Sequence, residues 1–93
     1  MPFWLYILKC NDGSYYTGHT DNLEYRVAMH QEGKIAGYTK SRKPVLLVFS
    51  EQFGTRLEAL DMEQRTKGWS RKKKEAMIRG DWNEVSRLAK SKT

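Results

Sequence analysis

Three stretches of apolar residues along the chain predict β-strands. They are rich in aromatic and β-branched side chains, and turn-forming residues separate them from the rest of the sequence. The first two stretches are separated by Asp12-Gly13, a dipeptide that is typical of tight hairpins. We therefore expect these two strands to pair with each other. The predicted strands cover residues 3–10, 14–20 and 45–53.

Strand alternation divides the side chains of the second strand, SYYTGHT, between two faces. Tyr16 and Gly18 would share one face, and Tyr15 and Thr17 the other. Tyr6 lies in the partner strand, so Tyr6 and Tyr16 can be near neighbours across the sheet. This pair is either an aromatic contact in the core or two phenols at a site, where they would hold a phosphate oxygen or orient or deprotonate a water.

A period of three to four residues predicts a helix over about residues 22–32. Asp21 and Glu24 resemble a capping box at its start, and Gly33 closes it. The apolar stripe of this helix should face the sheet. That stripe consists of Leu23, Arg26, Val27 and His30.

An arginine and a histidine therefore stand at positions that are usually apolar. Arg26 either extends its guanidinium outward past Val27 or directs it over the sheet, where its forked donors suit phosphate oxygens. His30, one turn further along, is either a structural histidine or a proton relay. A metal pair of His19 and His30 is not favoured, because no other residue nearby completes a ligand set.

Helical patterns also follow the third strand. Thr55 and Glu58 form a capping box that begins a helix over residues 56–67, and two shorter helices follow, from about residue 70 to residue 79 and from residue 80 onward. The order β-β-α-β-α-α-α predicts an α+β fold: a small three-stranded, mostly antiparallel sheet flanked by helices.

A carboxylate stands among apolar side chains in the first of these helices. Glu63 lies on the same face as Ala59 and Leu60. One interpretation is an ordinary surface ion pair with Lys67, one turn later. The other is a hard oxygen ligand for Mg²⁺, an ion that commonly takes only one or two protein carboxylates and fills its shell with water and substrate phosphates.

The length and the single thiol limit the class of protein. The 93 residues are expected to form one domain, residues 1–93, ending in a helical segment at residues 80–93. Cys10 cannot form an internal disulfide, and no other residues are spaced for zinc, so we expect a cytoplasmic protein. No apolar run approaches the roughly 18 residues that a membrane span needs, and no signal peptide is recognisable.

The charge is positive and clustered. The net charge is +6, and residues 34–43 and 65–79 carry most of the basic side chains, with Tyr38 and Trp69 among them. These segments are either solvated surfaces or sites for a polyanion, and the interleaved aromatic residues favour nucleic acid. A basic patch for a protein or membrane partner is a third hypothesis. The candidate nucleic-acid-binding residues are Lys34, Lys40, Arg42, Lys43, Arg71, Lys72, Lys73 and Lys74.

Taken together, these residues resemble the GIY-YIG nuclease superfamily over about residues 3–79. The segments that carry the resemblance, in order, are the half-motifs Leu5-Tyr6-Ile7 and Tyr16-Thr17-Gly18, the arginine helix NLEYRVAMH with Arg26 and His30, and the helix RLEALDMEQRTKG with Glu63. Leu5 replaces the leading glycine of the first half-motif, and Thr17 replaces the isoleucine of the second. YTKSRKPV, EALDMEQ and GWSRKKKEAMI resemble the small stand-alone bacterial members.

The resemblance implies a metal-dependent endonuclease that hydrolyses phosphodiester bonds in DNA, with structure-selective cleavage in repair or recombination as one form. It implies Mg²⁺ or Mn²⁺ on Glu63, a water held by Tyr6 or Tyr16, Arg26 on the phosphate, and His30 orienting Tyr6 or relaying its proton. The alternative is a catalytically weak module that binds DNA or RNA through the basic surfaces. We expect a monomer that does not bind membranes, with a dimer as the alternative.

Overall fold

The computed structural model describes residues 2–90, apart from the side chain of Lys90. Each predicted element is present, and apart from the C-terminal end of the last helix its bounds lie within two residues of the prediction. The elements are β1 (Phe3–Lys9), β2 (Tyr15–Thr20), α1 (Leu23–Gln31), β3 (Leu46–Phe53), α2 (Arg56–Lys67), α3 (Arg71–Ile78) and α4 (Trp82–Lys90). The predicted order and the α+β class are confirmed. Residues 91–93 of the predicted C-terminal segment lie outside the described residues.

The sheet has the strand order β2-β1-β3, and both pairings are antiparallel. β1 is therefore the central strand. In the hairpin Tyr6 pairs with Gly18 and Leu8 with Tyr16. The pairing of β1 with β3 shifts register between Ile7 and Leu8.

The cap of α1 differs from the prediction. Asn22, not Asp21, caps the helix, since its side chain accepts a hydrogen bond from the Tyr25 amide at 3.2 Å. The Thr20 hydroxyl fixes this turn by accepting from the Asn22 amide at 3.1 Å. Asparagine caps as well as aspartate does, and Asp21 instead pairs with Arg56 at 3.5 Å on the surface.

The second predicted capping box is confirmed at the start of α2. The Thr55 hydroxyl accepts from the Glu58 amide and the Glu58 carboxylate accepts from the Thr55 amide, each at 3.2 Å. At α4 the Asp81 carboxylate accepts from the Glu84 amide at 3.2 Å. Local side chains thus determine where these helices begin.

The two faces of the sheet carry separate apolar clusters, because alternate side chains of β1 point in opposite directions. One cluster joins β1 to the C-terminal helices and contains Leu5, Ile7, Ala76, Met77 and Val85. The other contains Tyr6, Leu8, Cys10 and Val45, with Tyr16, Leu23 and Val27 packed against it. The candidate catalytic tyrosines therefore belong to the face that α1 covers.

No helix within residues 2–90 combines the length and the apolar character needed to cross a bilayer. Cys10 is buried, and burial raises the pKa of its thiol. A buried thiol with a raised pKa is a poor nucleophile. We therefore interpret Cys10 as a structural residue of the core and not as a nucleophile.

Candidate active site

Gly18 allows the ring of Tyr6 to lie against the backbone of β2. A Cβ atom at position 18 would lie 2.7 Å from the Tyr6 phenolic oxygen and 2.8 Å from the Tyr6 Cζ. It would also lie 3.2 Å from Cε2 of Tyr16. Glycine in a strand interior often marks such a close approach. The tight packing at Gly18 is what brings the two phenols to one place.

Tyr6, Tyr16 and His30 form an aromatic cluster between the sheet and α1. The ring centroids of the two tyrosines are 6.3 Å apart, and the His30 ring lies 5.0 Å from that of Tyr16 and 5.8 Å from that of Tyr6. The expected proximity of the two tyrosines is therefore present. Tyr6 is 1% exposed, whereas Tyr16 is only half-buried. Solvent and ligands can reach Tyr16 more readily than Tyr6.

His30 links Tyr6 to a threonine that the sequence did not identify as part of the site. The phenolic oxygen of Tyr6 lies 2.9 Å from His30 Nε2, and Thr39 Oγ1 lies 2.6 Å from His30 Nδ1. All three side chains are buried. A neutral imidazole carries one N–H, so the ring donates one of these bonds and accepts the other.

The loop that carries Thr39 is tied to the sheet at its end. The side-chain amide of Gln31, at the end of α1, donates to the Val45 carbonyl and accepts from the Val45 amide. These two bonds close the loop between α1 and β3. Thr39 therefore has a fixed position within this loop. The basic and glycine-containing sequence of the segment indicates only an exposed loop.

Burial governs the protonation of Tyr6 and His30. Burial raises the pKa of Tyr6 well above its ordinary value; nearby Tyr16 and Glu63 add to this, and Arg26 opposes it. Burial lowers the pKa of His30, and Arg26 lowers it further. At neutral pH the pair therefore consists of a neutral phenol and a neutral imidazole.

The lowered pKa of His30 predicts a loss of stability in mild acid. In the unfolded chain a histidine takes up a proton as the pH falls below about 6.5, whereas the folded state resists protonation. The contribution of His30 is therefore complete above that pH and declines as the pH falls towards its folded pKa. We expect the free energy of unfolding, measured in urea, to decrease from pH 7.5 to pH 5.5.

The variant His30→Gln should lose most of this slope. Glu63 does not interfere, because its pKa is lowered below 4.5 and its contribution falls only in stronger acid. An identical slope in wild type and His30→Gln would contradict the assignment.

Arg26 differs from every other arginine of the chain. The other six each form an ion pair, and these are Arg42, Arg56, Arg65, Arg71, Arg79 and Arg87. Within residues 2–90, the half-buried guanidinium of Arg26 has no carboxylate partner and no side-chain hydrogen bond. It nevertheless affects the pKa values of both Tyr6 and His30. A guanidinium without an anion lies beside the aromatic cluster.

Glu63 is the one buried acidic residue of the described chain, at 6% exposure. Its Oε1 lies 2.6 Å from His19 Nδ1, and its Oε2 lies 2.8 Å from Lys67 Nζ. Burial alone would raise the pKa of this carboxyl, but hydrogen bonds from Lys67 and His19 outweigh burial and lower it. Glu63 therefore forms the ion pair with Lys67 that one interpretation predicted. It is also buried, as the other interpretation requires.

The two histidines contact different groups. His19 binds Glu63, and His30 lies between Tyr6 and Thr39. Within the part of the chain that the structure describes, no cluster of three or more His, Cys, Asp or Glu side chains could enclose a metal. The donors therefore do not fit zinc. They fit a hard divalent cation held by one carboxylate, and the ammonium of Lys67 already occupies a cation position on that carboxylate.

The predicted basic residues divide into two groups. In the first group, Arg42 bonds to Asp12 at 3.0 Å and lies 4.0 Å from the centre of the Tyr38 ring. Arg71 bonds to Glu75 at 3.1 Å and lies 4.8 Å from the centre of the Tyr15 ring. The arginines therefore hold the basic segments in place.

The lysines of the second group are mostly on the surface. Lys34 pairs with Glu32 at 2.9 Å, Lys73 lies 4.1 Å from the Trp69 ring, and burial lowers the pKa of Lys74. Lys34, Lys40, Lys43 and Lys72 are exposed, whereas Lys73 and Lys74 are half-buried. Tyr38 connects the basic loop to the site, since its ring stacks on Tyr16 at 6.3 Å and 26°.

Known proteins are similar to this chain over most of its length. Residues 2–76 match the GIY-YIG catalytic domain. The UPF0213 protein SH2523 of Staphylococcus haemolyticus is 49% identical over 75 residues, which cover 81% of this chain and 92% of that protein. YazA, a UPF0213 protein of Bacillus subtilis, is 48% identical over 75 residues, which cover 81% of this chain and 76% of YazA.

Two solution NMR structures are also similar. The UPF0213 protein BH0048 from Bacillus halodurans has a TM-score of 0.55 and 42% identity, covering 84% of this chain and 83% of that chain. The protein EF2693 from E. faecalis has a TM-score of 0.60 and 38% identity. The match covers 86% of this chain and 85% of EF2693. The resemblance predicted from the motifs is confirmed: the chain belongs to the GIY-YIG family, a nuclease superfamily, and its relatives include small bacterial UPF0213 proteins.

Proposed function

We propose that the protein is a metal-dependent endonuclease that hydrolyses phosphodiester bonds in DNA. GIY-YIG nucleases act on DNA and generally use a divalent metal. The observation that carries the proposal is the unpartnered, half-buried guanidinium of Arg26 beside the Tyr6 phenol and the His30 imidazole. A phosphate is the anion that best matches its forked donors. In this role Arg26 stabilises the negative charge that develops on the phosphate oxygens.

The two tyrosines have different tasks in this proposal. Tyr16, half-exposed, orients the attacking water, and the buried chain of Tyr6, His30 and Thr39 manages its proton. Burial raises the pKa of Tyr6 and favours the neutral phenol, so in this proposal Tyr6 acts as a neutral relay. It accepts a proton at its oxygen while it donates its own to His30 Nε2, so that His30 becomes a transient imidazolium. Thr39 accepts from Nδ1 and fixes that tautomer.

Glu63 is the residue that would hold the cation. A bound Mg²⁺ or Mn²⁺ supplies Lewis-acid stabilisation to the phosphate and the leaving oxygen. Glu63 offers one hard oxygen to it, and His19 orients the carboxylate from the side of β2. This second contact on a ligand is the kind that fixes ligand orientation in metal sites.

The basic segments would bind the backbone of the nucleic acid on either side of β2. Tyr38 connects the loop at residues 34–43 to Tyr16, and Arg71 connects α3 to Tyr15. Lysines and arginines on phosphates supply affinity without sequence preference. We propose a cytoplasmic monomer that selects branched or otherwise distorted DNA during repair or recombination.

The experiment that tests the proposal is a cleavage assay on a panel of substrates. Purified protein is incubated with branched, single-stranded and plasmid DNA, and with RNA, in Mg²⁺, Mn²⁺ or EDTA. We expect cleavage of at least one DNA substrate with metal and none with EDTA. An enzyme that leaves every substrate intact, or that cuts equally well in EDTA, would rule out the proposal.

A second candidate function is a nucleic-acid-binding module with little catalysis. The specific observation that favours it is that both oxygens of Glu63 already have partners within the chain. In that case binding should weaken steeply with salt, and neutralising residues 71–74 should reduce both the affinity and the salt dependence. Cleavage that requires metal would displace this candidate.

A further inference from the structure

Lys67 occupies the place on Glu63 that an incoming cation needs. Its Nζ lies 2.8 Å from Oε2, and Lys67 and Glu63 are four residues apart on α2. Helical spacing alone brings such residues together. The pair therefore forms without any ligand, and it forms on a carboxylate that is only 8% exposed.

The two partners of Glu63 differ in how easily they can leave. His19 belongs to a strand of the sheet and its side chain is 22% exposed, whereas the side chain of Lys67 is 50% exposed at the C-terminal end of α2. A lysine has a long flexible stem and exchanges its partners with water at little cost. Oε2 is therefore the oxygen that can change partner while His19 keeps Oε1 in place.

An ammonium and a divalent cation compete for the same lone pairs. Two positive charges on one partly buried carboxylate also repel each other, more strongly than in bulk water. A lysine side chain carries its positive charge at neutral pH, and the Lys67 ammonium already lies 2.8 Å from Oε2, so it competes directly with an incoming cation.

We propose that Lys67 is a positioning residue that holds the Glu63 carboxylate in the metal-free protein and is displaced from Oε2 when a divalent cation binds. The inference rests on the proposed function, because it assumes that Glu63 is the metal ligand. It adds that the metal affinity of this protein is set by the chain's own ammonium.

Mn²⁺ binding by isothermal titration calorimetry, without DNA, tests this. Lys67→Met, which keeps the length of the stem but not the charge, should bind Mn²⁺ about tenfold more tightly than wild type, a difference of about 1.4 kcal/mol. Lys67→Arg, which keeps the charge, should return the affinity towards that of wild type. Lys72→Met, which removes one exposed lysine from α3, should stay within about twofold of wild type if the effect is local rather than a matter of net charge.

The outcomes separate this inference from the proposed function. If wild type does not bind Mn²⁺, or if Glu63→Gln binds it as tightly as wild type does, Glu63 is not the metal ligand. The proposed role of Lys67 is then overturned as well. If Glu63→Gln loses binding but a folded Lys67→Met, verified by circular dichroism, binds no more tightly than wild type, only the role of Lys67 is overturned. Equal tightening by Lys67→Met and Lys72→Met would overturn it as well.

Discussion

Replacing Glu63 with glutamine is expected to lower the rate of DNA cleavage by at least about 10³-fold, because charge stabilisation by a divalent cation contributes several kcal/mol to such reactions. Glutamine preserves the shape of the side chain, and its amide can still contact His19 and Lys67. What it removes is the negative charge that holds the cation. The measurement is a single-turnover cleavage rate at saturating Mg²⁺, compared with the rate in EDTA.

The matched control for this variant is Asp61→Asn. Asp61 lies on the same helix, is exposed, and pairs with Arg65 at 3.0 Å. Asp61→Asn removes the same negative charge from a position two residues away. Exposed ion pairs of this kind contribute about 1 kcal/mol or less to stability. Its cleavage rate should stay within about twofold of wild type. A fully active Glu63→Gln would show that Glu63 is not the metal ligand.

Replacing Arg26 with alanine is expected to reduce the cleavage rate by roughly 10²–10³-fold, the usual cost of losing one electrostatic stabiliser of a transition state. The reason is specific to this side chain. Within residues 2–90 it is the arginine without an ion pair, so its charge is not already balanced by a carboxylate. Arg26→Lys should recover only part of the rate, because an ammonium lacks the fork that spans two phosphate oxygens.

Arg56→Ala is the control for Arg26→Ala. Arg56 is exposed, pairs with Asp21 and lies 4.8 Å from the centre of the Phe3 ring. Both variants remove one guanidinium group from a helix of this fold. We expect Arg56→Ala to change the single-turnover rate by no more than a few-fold. Equal rates for Arg26→Ala and wild type at saturating DNA would remove Arg26 from the chemistry.

The fold could be predicted because its determinants are local. Asp12-Gly13 indicated the hairpin, and the Thr55 and Glu58 capping box indicated the start of α2, each within a few residues of sequence. The error at α1 was local as well. Asp21 and Asn22 are both good caps, and the bond from the Asn22 amide to Thr20 decides between them.

The site could be predicted only where a side chain departed from its surroundings. Arg26, His30 and Glu63 stood out as polar residues at apolar positions of helices. Thr39 did not stand out, because a threonine in a basic loop is unremarkable until the loop folds back onto His30. His19 was considered only as a metal partner of His30. Its bond to Glu63 joins residues 44 positions apart in sequence, which no local pattern reveals.

The close packing at Gly18 also selects between two chemically identical neighbours. Tyr15 and Tyr16 are adjacent on β2 and point to opposite sides of the sheet, so a slip of one residue in the hairpin would exchange them. Such a slip would set Thr17 or His19 opposite Tyr6, in the position where a Cβ atom meets the phenolic oxygen at 2.7 Å. Only one alignment of the hairpin places a residue without a side chain there. Gly18 therefore protects the protein against the misfolded form in which the wrong tyrosine would enter the cluster.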